Sequence, residues 1–231
     1  MIKQGMILAA GLGKRMQPAT LKTPKPLLKI GNKYLLERAI DLLSNYGVEK
    51  LVINVHYLAD QIINFIKRKN FNIEIIISDE RDDLLDTGGG ILKGTKIFGN
   101  NPFLVINPDT IWSLKYLQEI RNLESLYYEY GKSCLLIVNK SLSYDHSFKG
   151  DFNLNSNVIS RDKINNFIFT GLQILNNNIF DEVRENKFSM NKIWDNLIKK
   201  KSLFGLESNQ TFYHLNTNEI LKKISNLKII D

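Results

Sequence analysis

Residues 6–16 of this 231-residue chain read Met6-Ile7-Leu8-Ala9-Ala10-Gly11-Leu12-Gly13-Lys14-Arg15-Met16. The first five form a continuous apolar run bounded by glycine, which is typical of a strand that is buried on both faces and ends in a tight turn. Glycine lets the backbone turn sharply and approach a ligand, so amide groups in such a turn can point at phosphate oxygens. The stretch predicts a buried strand over residues 6–10, followed by a candidate phosphate-binding loop.

Glycines alone would fit an ordinary connection between a strand and a helix equally well, and the cations decide between the two interpretations. Lys14, Arg15 and Lys25 follow without an intervening carboxylate, which favours a loop that neutralises phosphate groups. Two known nucleotide-binding motifs are excluded. Met16 stands where a dinucleotide-binding fingerprint has its third glycine, and the spacing and hydroxyl residue of a Walker loop are missing.

The hydrophobic pattern beyond this stretch alternates between strands and helices. Short apolar runs predict further strands, and apolar residues at helical spacing predict helices between them. The predicted strands lie at residues 51–55, 73–77, 103–107, around 134 and at 167–174, and the predicted helices at 35–46, 58–69, 114–130, 191–200 and 218–225. We therefore expect a mixed α/β fold with a mostly parallel central sheet and helices on both faces.

The composition indicates a globular protein and limits its partners. At 43% hydrophobic residues the chain can bury a sizeable core, and no apolar run reaches the roughly 18 residues of a membrane helix. We therefore expect a cytoplasmic protein with no membrane partner. The net charge of +7 comes from seven cations that precede the first acidic residue, Glu37, because the other 24 basic and 24 acidic residues cancel. Such a local excess favours a small phosphorylated ligand over a nucleic acid.

Further strings along the chain resemble those of a known family. Together with Thr23-Pro24-Lys25-Pro26, residues 7–16 resemble the signature of the sugar-1-phosphate nucleotidyltransferases. Within that family the chain resembles the N-acetylmuramate 1-phosphate uridylyltransferases most closely. This resemblance rests on residues 85–91, on Asn107-Pro108-Asp109 with Trp112, and on residues 149–152 and 169–171. It implies the α/β fold that these enzymes share with GT-A glycosyltransferases.

We expect one nucleotidyltransferase domain over residues 1–231. The composition changes after Lys140, where Asn, Ser and Asp become frequent and the apolar runs shorten. The first part, residues 1–140, is expected to be the nucleotide-binding half, and residues 141–231 the sugar-binding half.

The resemblance also implies a role for each matching residue. The expected catalytic residues are Arg15, Lys25 and Asp109. The expected nucleotide-binding residues are Leu8, Ala9, Ala10, Gly11, Gly13, Lys14, Arg15, Gly88 and Asn107. The expected sugar-phosphate-binding residues are Lys25, Gly150, Asp151, Lys163, Thr170 and Gly171, of which Asp151 and Lys163 would equally suit solvated charges. The expected substrates are a nucleoside triphosphate, UTP first, and N-acetylmuramate 1-phosphate, with pyrophosphate as the released product.

Asp109 and His214 are the candidate metal ligands. Asp109 follows an apolar strand, at the sheet edge where ligands gather, and Mg²⁺ prefers carboxylate and phosphate oxygens. An aspartate in this position is by itself more often a turn former, and the resemblance implies that it is the principal metal ligand. Near its C-terminus the family has an aromatic residue, an aspartate, and then a glycine and a threonine. This chain has Phe212-Tyr213-His214-Leu215-Asn216-Thr217, so His214 replaces the second carboxylate.

Three consequences of this replacement stay open. In the first, Asp109 is a sufficient protein ligand for Mg²⁺. In the second, His214 shifts the metal preference of the site toward Mn²⁺ or another divalent metal, and in the third the enzyme has reduced activity. A histidine that only forms hydrogen bonds in a cleft is the structural alternative.

The sequence leaves alternative functions open as well. A guanylyltransferase acting on mannose or heptose 1-phosphate is one, and a nucleotide-binding regulator with weakened catalysis is another. A GT-A glycosyltransferase is a third, although Asn107 stands where the first carboxylate of its Asp-x-Asp pair is expected. The oligomeric state is not predicted.

The remaining reactive side chains have ordinary structural interpretations. Cys134 lies in an apolar run and is the only cysteine, which predicts a buried thiol and excludes an internal disulfide. His56 and His146 have no partner at ligand spacing. Trp112 and Trp194 are expected to pack in the core or in a lid.

Overall fold

The computed structural model describes residues 1–225 and 227, which form eleven strands and six α-helices. The strands are β1 (Gln4–Leu8), β2 (Lys29–Ile30), β3 (Lys33–Tyr34), β4 (Lys50–Val55), β5 (Glu74–Asp79), β6 (Phe103–Ile106), β7 (Ser133–Asn139), β8 (Asn153–Asn155), β9 (Val158–Ser160), β10 (Phe167–Leu175) and β11 (Leu203–Ser208). The helices are α1 (Leu35–Tyr46), α2 (Ala59–Lys69), α3 (Asp86–Thr95), α4 (Leu117–Tyr130), α5 (Met190–Lys199) and α6 (Asn218–Ser225). None of these helices has the length and apolar character needed to cross a membrane.

A nine-stranded sheet organises the fold, in the order β5-β4-β1-β6-β10-β7-β11-β9-β8. Its strands β5, β4, β1 and β6 are parallel neighbours, and β7 pairs in parallel with β11. Strand β10 lies between β6 and β7 and runs antiparallel to both. Strands β2 and β3 form a separate two-stranded ribbon. The predicted mixed α/β fold with a mainly parallel central sheet is confirmed.

Helices cover both faces of the sheet, which explains the continuous apolar run in β1. Met6 packs in one core cluster with residues of α3 and α5, whereas its neighbour Ile7 packs in another with residues of α1, α2 and α4. Successive side chains of a strand point to opposite faces, and both of these side chains are fully buried. A central strand between two hydrophobic layers therefore needs apolar residues at consecutive positions.

Several predicted elements agree closely with the structure. Helices α1 and α6 have the predicted bounds. Helix α2 begins one residue later than predicted, and α5 begins and ends one residue earlier. Strand β1 begins and ends two residues earlier than predicted. It begins at Gln4 because that residue already pairs with Lys50 of β4. It ends at Leu8 because the Ala9 amide donates to the side-chain oxygen of Asn54 at 2.7 Å rather than to a neighbouring strand. Residues 114–116, predicted as the start of a helix, form a 3-10 turn before α4.

The sequence pattern does not predict α3, and packing explains why that helix exists. It contains four glycines, each of which disfavours a helix by about 1 kcal/mol relative to alanine. A Cβ atom at Gly89 would overlap the main-chain oxygen of Asn186, and one at Gly94 would lie 2.9 Å from the Met6 side chain. Close approach of neighbouring segments therefore requires glycine here and outweighs local propensity.

Candidate active site

Four parallel strands, β1, β4, β5 and β6, end at the rim of one cleft of about 560 Å³. This is the sheet edge at which ligands of open α/β folds gather. The cleft is lined by Leu8, Ala9, Ala10, Gly11, Leu12, Gly13, Lys14, Arg15, Met16, Lys25, Pro26, Asn54, Glu80, Leu84, Asp86, Thr87, Asn107, Pro108, Asp109, Lys187 and Asn216. It brings together every residue predicted to bind nucleotide except Gly88, and all three predicted catalytic residues.

The glycine- and lysine-rich loop forms part of the cleft wall. Gly13 has a φ of 62°, which lies in the left-handed region that glycine favours, and the Thr20 hydroxyl donates to its carbonyl oxygen at 2.8 Å. The chain then makes a 3-10 turn over Lys14–Met16, in which Met16 is buried while Lys14 and Arg15 are exposed. Neither cation pairs with a carboxylate of residues 1–225 or 227, so both charges are available to a bound anion.

Lys25 and Asp109 form an ion pair in the same cleft, with Nζ 2.6 Å from Oδ2. Burial would raise the pKa of the Asp109 carboxyl, but electrostatic interactions with His214 and Lys25 outweigh that effect and lower the pKa to about 2. Asp109 is therefore ionised at physiological pH, and it keeps the Lys25 ammonium group at the cleft.

His214 lies beside this pair without forming a hydrogen bond to it. Its Nδ1 atom is 3.7 Å from Oδ1 of Asp109, which is beyond hydrogen-bond distance. Burial lowers the pKa of the His214 imidazole below its ordinary value, although the Asp109 charge beside it opposes that effect. The ring stacks on Phe212, with centroids 5.8 Å apart. Oδ1 of Asp109 is buried and has no hydrogen-bond partner among the described residues.

The donor atoms at Asp109 fit a hard divalent cation. No group of three or more His, Cys, Asp or Glu side chains in the described part of the chain could hold a metal by itself. Mg²⁺ commonly takes one or two carboxylates and completes its shell with waters and substrate phosphates. The unpartnered Oδ1 atom of Asp109 suits that kind of site.

A smaller cavity of about 180 Å³ adjoins the site through His214, which forms one of its walls. It is lined by Phe148, Asp151, Arg161, Ile168, Phe169, Asn191, Trp194, Phe212 and His214. Asp151 accepts a hydrogen bond from the Phe169 amide at 2.9 Å, and burial raises the pKa of its carboxyl. Aromatic walls with a few fixed polar groups are typical of small-molecule sites, and they suit a sugar.

Five residues that were predicted to bind substrate line neither of these two cavities: Gly88, Gly150, Lys163, Thr170 and Gly171. The Gly88 amide donates to the main-chain oxygen of Phe188 at 2.9 Å, and a Cβ atom there would overlap the Phe188 ring. A Cβ atom at Gly150 would overlap the main chain of Asn165. Lys163 is exposed. Packing accounts for Gly88 and Gly150, and the binding roles stay predictions.

Thr170 and Gly171 lie in strand β10 and form hydrogen bonds that hold the strand ends beside the cleft. The Thr170 hydroxyl donates to the main-chain oxygen of Leu136 at 2.8 Å. Gly171 has a φ of 95°, and its carbonyl oxygen accepts the amide of Asn107 at 2.8 Å. Strand β10 has an irregular register with β7 at this point. These contacts position Asn107 at the cleft, and a direct role in sugar binding stays a prediction.

Sequence patterns missed two buried polar side chains of the cleft. Asn54 accepts the Ala9 amide and donates to Oε1 of Glu80, both at 2.7 Å. Burial raises the pKa of the Glu80 carboxyl. Asn54 interrupts the apolar run 51–55, and a polar residue in a buried strand is a signal for a buried hydrogen-bond partner. No comparable sequence pattern singles out Glu80.

A cleft at the ends of parallel strands, with loop cations and a partly buried aspartate in its lining, is typical of α/β enzymes that bind nucleotides. Residues 4–143 match the family profile described as nucleotidyl transferase. The chain therefore belongs to the nucleotidyl transferase family, as the resemblance implied. It is an enzyme of the sugar-1-phosphate nucleotidyltransferase class.

Its relatives differ in the base and the sugar that their names specify. The N-acetylmuramate alpha-1-phosphate uridylyltransferase of Caulobacter vibrioides is 30% identical over 221 residues, which cover 92% of this chain and 91% of that protein. The protein of the same name from Neisseria meningitidis serogroup B is 32% identical over 184 residues, 78% of each chain. The mannose-1-phosphate guanylyltransferase catalytic subunit beta of Drosophila melanogaster is 26% identical, and the match covers 88% of this chain and 57% of that protein.

The solved structure of UDP-glucose pyrophosphorylase complexed with UDP-glucose shares the fold. It superimposes with a TM-score of 0.76 at 24% sequence identity, and the match covers 98% of both chains.

Proposed function

We propose that this enzyme transfers a uridylyl group from UTP to N-acetylmuramate 1-phosphate and releases pyrophosphate. The observation that carries the proposal is the shared cleft, which is lined both by the loop cations Lys14 and Arg15 and by the Lys25–Asp109 pair. Both substrates are polyanions that repel each other, so a site that joins them must supply positive charge to each. The two uridylyltransferase relatives support the choice of base and sugar.

The reaction joins two phosphates without a protein nucleophile. An oxygen of the sugar phosphate attacks the α-phosphorus of UTP and forms a new P–O bond. The bond between that phosphorus and the oxygen of the leaving pyrophosphate breaks, and pyrophosphate departs with the electron pair. Arg15 and Lys25 neutralise the reactants and stabilise the charge that grows on pyrophosphate. Alignment of two bound reactants can supply about 7 kcal/mol or more in well-oriented systems.

Asp109 is the proposed holder of a divalent cation, Mg²⁺ by preference. Such a cation, when bound, neutralises charge on the triphosphate. The chain contributes a carboxylate that stays ionised and has one oxygen with no partner among the described residues. His214 is the predicted second ligand, and a neutral imidazole would favour Mn²⁺ or another transition metal.

The 180 Å³ cavity favours a sugar that has a carboxylate group, as N-acetylmuramate has, because Arg161 lines it. Arg161 donates to Asp195 at 2.5 Å, to Asn191 at 2.9 Å and to the main-chain oxygen of Asp151 at 3.3 Å. A guanidinium has five N–H groups, so two remain without a partner among the described residues. Because the other three hold the side chain in place, Arg161 can bind a carboxylate with little further loss of entropy.

A guanylyltransferase acting on mannose or heptose 1-phosphate is the second candidate. The mannose-1-phosphate guanylyltransferase relative favours it. It differs from the first candidate in the base and in the absence of a carboxylate on the sugar, so Arg161 would have no substrate carboxylate to bind.

Pyrophosphate release tests the proposal directly. UTP, GTP, CTP, ATP and dTTP are each paired with N-acetylmuramate 1-phosphate, N-acetylglucosamine 1-phosphate and mannose 1-phosphate. We expect the highest kcat/KM for UTP with N-acetylmuramate 1-phosphate. A preference for GTP with mannose 1-phosphate would establish the second candidate. Triphosphate binding without pyrophosphate release from any pair would indicate a nucleotide-binding regulator.

Arg161→Gln tests the choice of sugar. A hydrogen bond to a charged group contributes about 1.5–3 kcal/mol, so kcat/KM for N-acetylmuramate 1-phosphate should fall roughly 10- to 100-fold. N-acetylglucosamine 1-phosphate lacks the carboxylate, and its kcat/KM should change little. Arg121→Gln, at an exposed position on α4 that lines neither cavity, is the matched control. Equal losses on both sugars would contradict recognition of the carboxylate by Arg161.

A further inference from the structure

The residues after His214 run beside Asp109. Thr110 and His214 form an antiparallel bridge, and the Leu215 amide donates to the main-chain oxygen of Asp109 at 2.8 Å. Asn216 is the next residue, and its side chain lines the 560 Å³ cleft together with Asp109. His214 lines the 180 Å³ cavity, and its Nδ1 atom stands 3.7 Å from Oδ1 of Asp109.

A hydrogen bond to Asp145 fixes the orientation of the Asn216 amide. Its Nδ2 atom donates to Oδ2 of Asp145 at 2.9 Å. An ionised carboxylate only accepts hydrogen bonds, so the NH₂ group must face Asp145 and the carbonyl oxygen must face away from it. Asp145 therefore acts as a positioning residue for the Asn216 oxygen.

Two oxygen atoms of residues that line this cleft are buried and lack hydrogen-bond partners in the part of the chain that the structure describes. Oδ1 of Asn216 and Oδ1 of Asp109 have no hydrogen-bond partner among the described residues. A buried acceptor without a partner destabilises a fold by about 1–3 kcal/mol, and more if it is charged. Oxygen atoms without hydrogen-bond partners are what a hard cation such as Mg²⁺ takes as ligands.

We propose that Oδ1 of Asn216 and Oδ1 of Asp109 together form the protein's share of a divalent-cation site, and that Asn216 rather than His214 is the second ligand. The sequence has histidine where the family signature has aspartate, and asparagine where it has glycine. The lost carboxylate oxygen is thus replaced by an amide oxygen two residues later. The inference rests on the proposed function only in taking a divalent cation to be part of the reaction.

Binding of Mn²⁺ alone, followed by electron paramagnetic resonance, tests this inference without turnover. We expect Asn216→Ala to raise the Kd for Mn²⁺ at least about tenfold, which corresponds to 1.4 kcal/mol. His214→Asn should change that Kd less than Asn216→Ala does. Asn218→Ala is the matched control, because Asn218 lies two residues further on and its amide donates to the main-chain oxygen of Gln17. It should bind Mn²⁺ as the wild type does.

Two further measurements keep the inference falsifiable if Asn216→Ala folds poorly. Asp145→Ala removes the hydrogen bond that positions the Asn216 oxygen, so it should weaken Mn²⁺ binding. The spin echo of Mn²⁺ bound to the wild type should lack the modulation that a directly coordinated imidazole nitrogen produces.

Three results would overturn the inference: the nitrogen modulation of a histidine ligand, a larger loss in His214→Asn than in Asn216→Ala, or no saturable Mn²⁺ site in the wild type. A site that depends on Asn216 in a protein that releases no pyrophosphate would refute the proposed function and leave this inference standing.

Discussion

Lys25 and Asp109 are 84 positions apart in the sequence and meet at 2.6 Å in the cleft. Their side chains are 14% and 24% exposed, so two partly buried charges lie side by side. In the proposed reaction the same two residues have separate roles. Lys25 binds phosphate, and Asp109 holds the divalent cation. Substitution of either residue should therefore affect stability and activity separately.

Lys25→Met should lower kcat/KM by roughly 100-fold or more, because loss of one preorganised contact to the transition state commonly has that effect. It also leaves the Asp109 charge partly buried without its cation, so the free energy of unfolding should fall by about 2 kcal/mol. Pyrophosphate release and urea denaturation measure the two effects.

The double variant Lys25→Met/Asp109→Asn removes the unpaired charge, so it should recover most of the stability and none of the activity. Lys33→Met removes a cation that pairs with Asp41 outside the cleft, and it should keep kcat/KM within about twofold of wild type. Full activity in Lys25→Met would refute its assignment, and an inactive Lys33→Met would show that the loss is not specific to the cleft.

The burial of Cys134 can be tested through the reactivity of its thiol. Its side chain is fully buried, as the sequence predicts, and burial raises the pKa of the thiol to about 12. The thiolate is the reactive form, and an unfolded cysteine with a pKa of about 8.5 is largely ionised at pH 9. We expect a disulfide reagent at pH 9 to label the native protein on the order of 1,000-fold more slowly than the urea-unfolded protein. Comparable rates would show that Cys134 is accessible.

Helix α3 shows that elements can form against local preference. Its four glycines lower its intrinsic helix propensity, and neighbouring segments pack where side chains would otherwise stand. Two of these glycines face neighbours of different rigidity, so they respond differently to the same substitution.

Gly89→Ala should destabilise the protein by about 1–3 kcal/mol, because the new Cβ atom overlaps the main-chain oxygen of Asn186, which cannot move independently. Gly94→Ala should change the free energy of unfolding by less than about 1 kcal/mol, since the Met6 side chain can shift and alanine favours a helix. Urea denaturation compares the two variants. A larger loss in Gly94→Ala than in Gly89→Ala would contradict this explanation of α3.

The nine-stranded sheet connects the two proposed halves of the molecule. Strand β10, from the second half, pairs with β6 and β7 of the first half. This pairing supports the proposal that residues 1–231 act as one domain, with nucleotide contacts from residues 1–140 and sugar contacts from residues 141–231. The cleft and the smaller cavity then lie on one continuous scaffold, and ligand binding should stabilise it as a unit.

UTP with Mg²⁺ should therefore raise the melting temperature of the whole protein. A ligand at 100 times its Kd stabilises the native state by about 2.7 kcal/mol, which corresponds to roughly 5–10 °C for a chain of this size. Arg15→Ala should retain the ligand-free melting temperature and lose most of the shift, because Arg15 is exposed and pairs with no carboxylate of the described residues. Scanning calorimetry measures both values. An unchanged shift in Arg15→Ala would remove Arg15 from the nucleotide site.

Local patterns determine the parts of this fold that depend on neighbours in sequence. The spacing of apolar residues predicts α1 and α6 at their observed bounds, because a helix buries one face at a period of about 3.6 residues. The continuous apolar run predicts β1, and the loop after it carries the predicted cations to the cleft. The pattern misses strand β11, which pairs with the distant strand β7. It also misses the short strands β8 and β9, which form a local hairpin and join the sheet through the pairing of β9 with β11.

The sequence by itself determined the α/β class, the family and the cationic loop, because residues close together in the chain encode each of them. Only the tertiary structure decided that Lys25 pairs with Asp109, that Asn54 bridges Ala9 to Glu80, and that Arg161 lies at the smaller cavity. It also decided that Asn216, whose Oδ1 atom is buried without a partner among the described residues, lines the cleft, and that His214 lines the smaller cavity. The physical reason is that hydrogen bonding, burial and charge at a site depend on distances between remote segments, which sequence spacing does not specify.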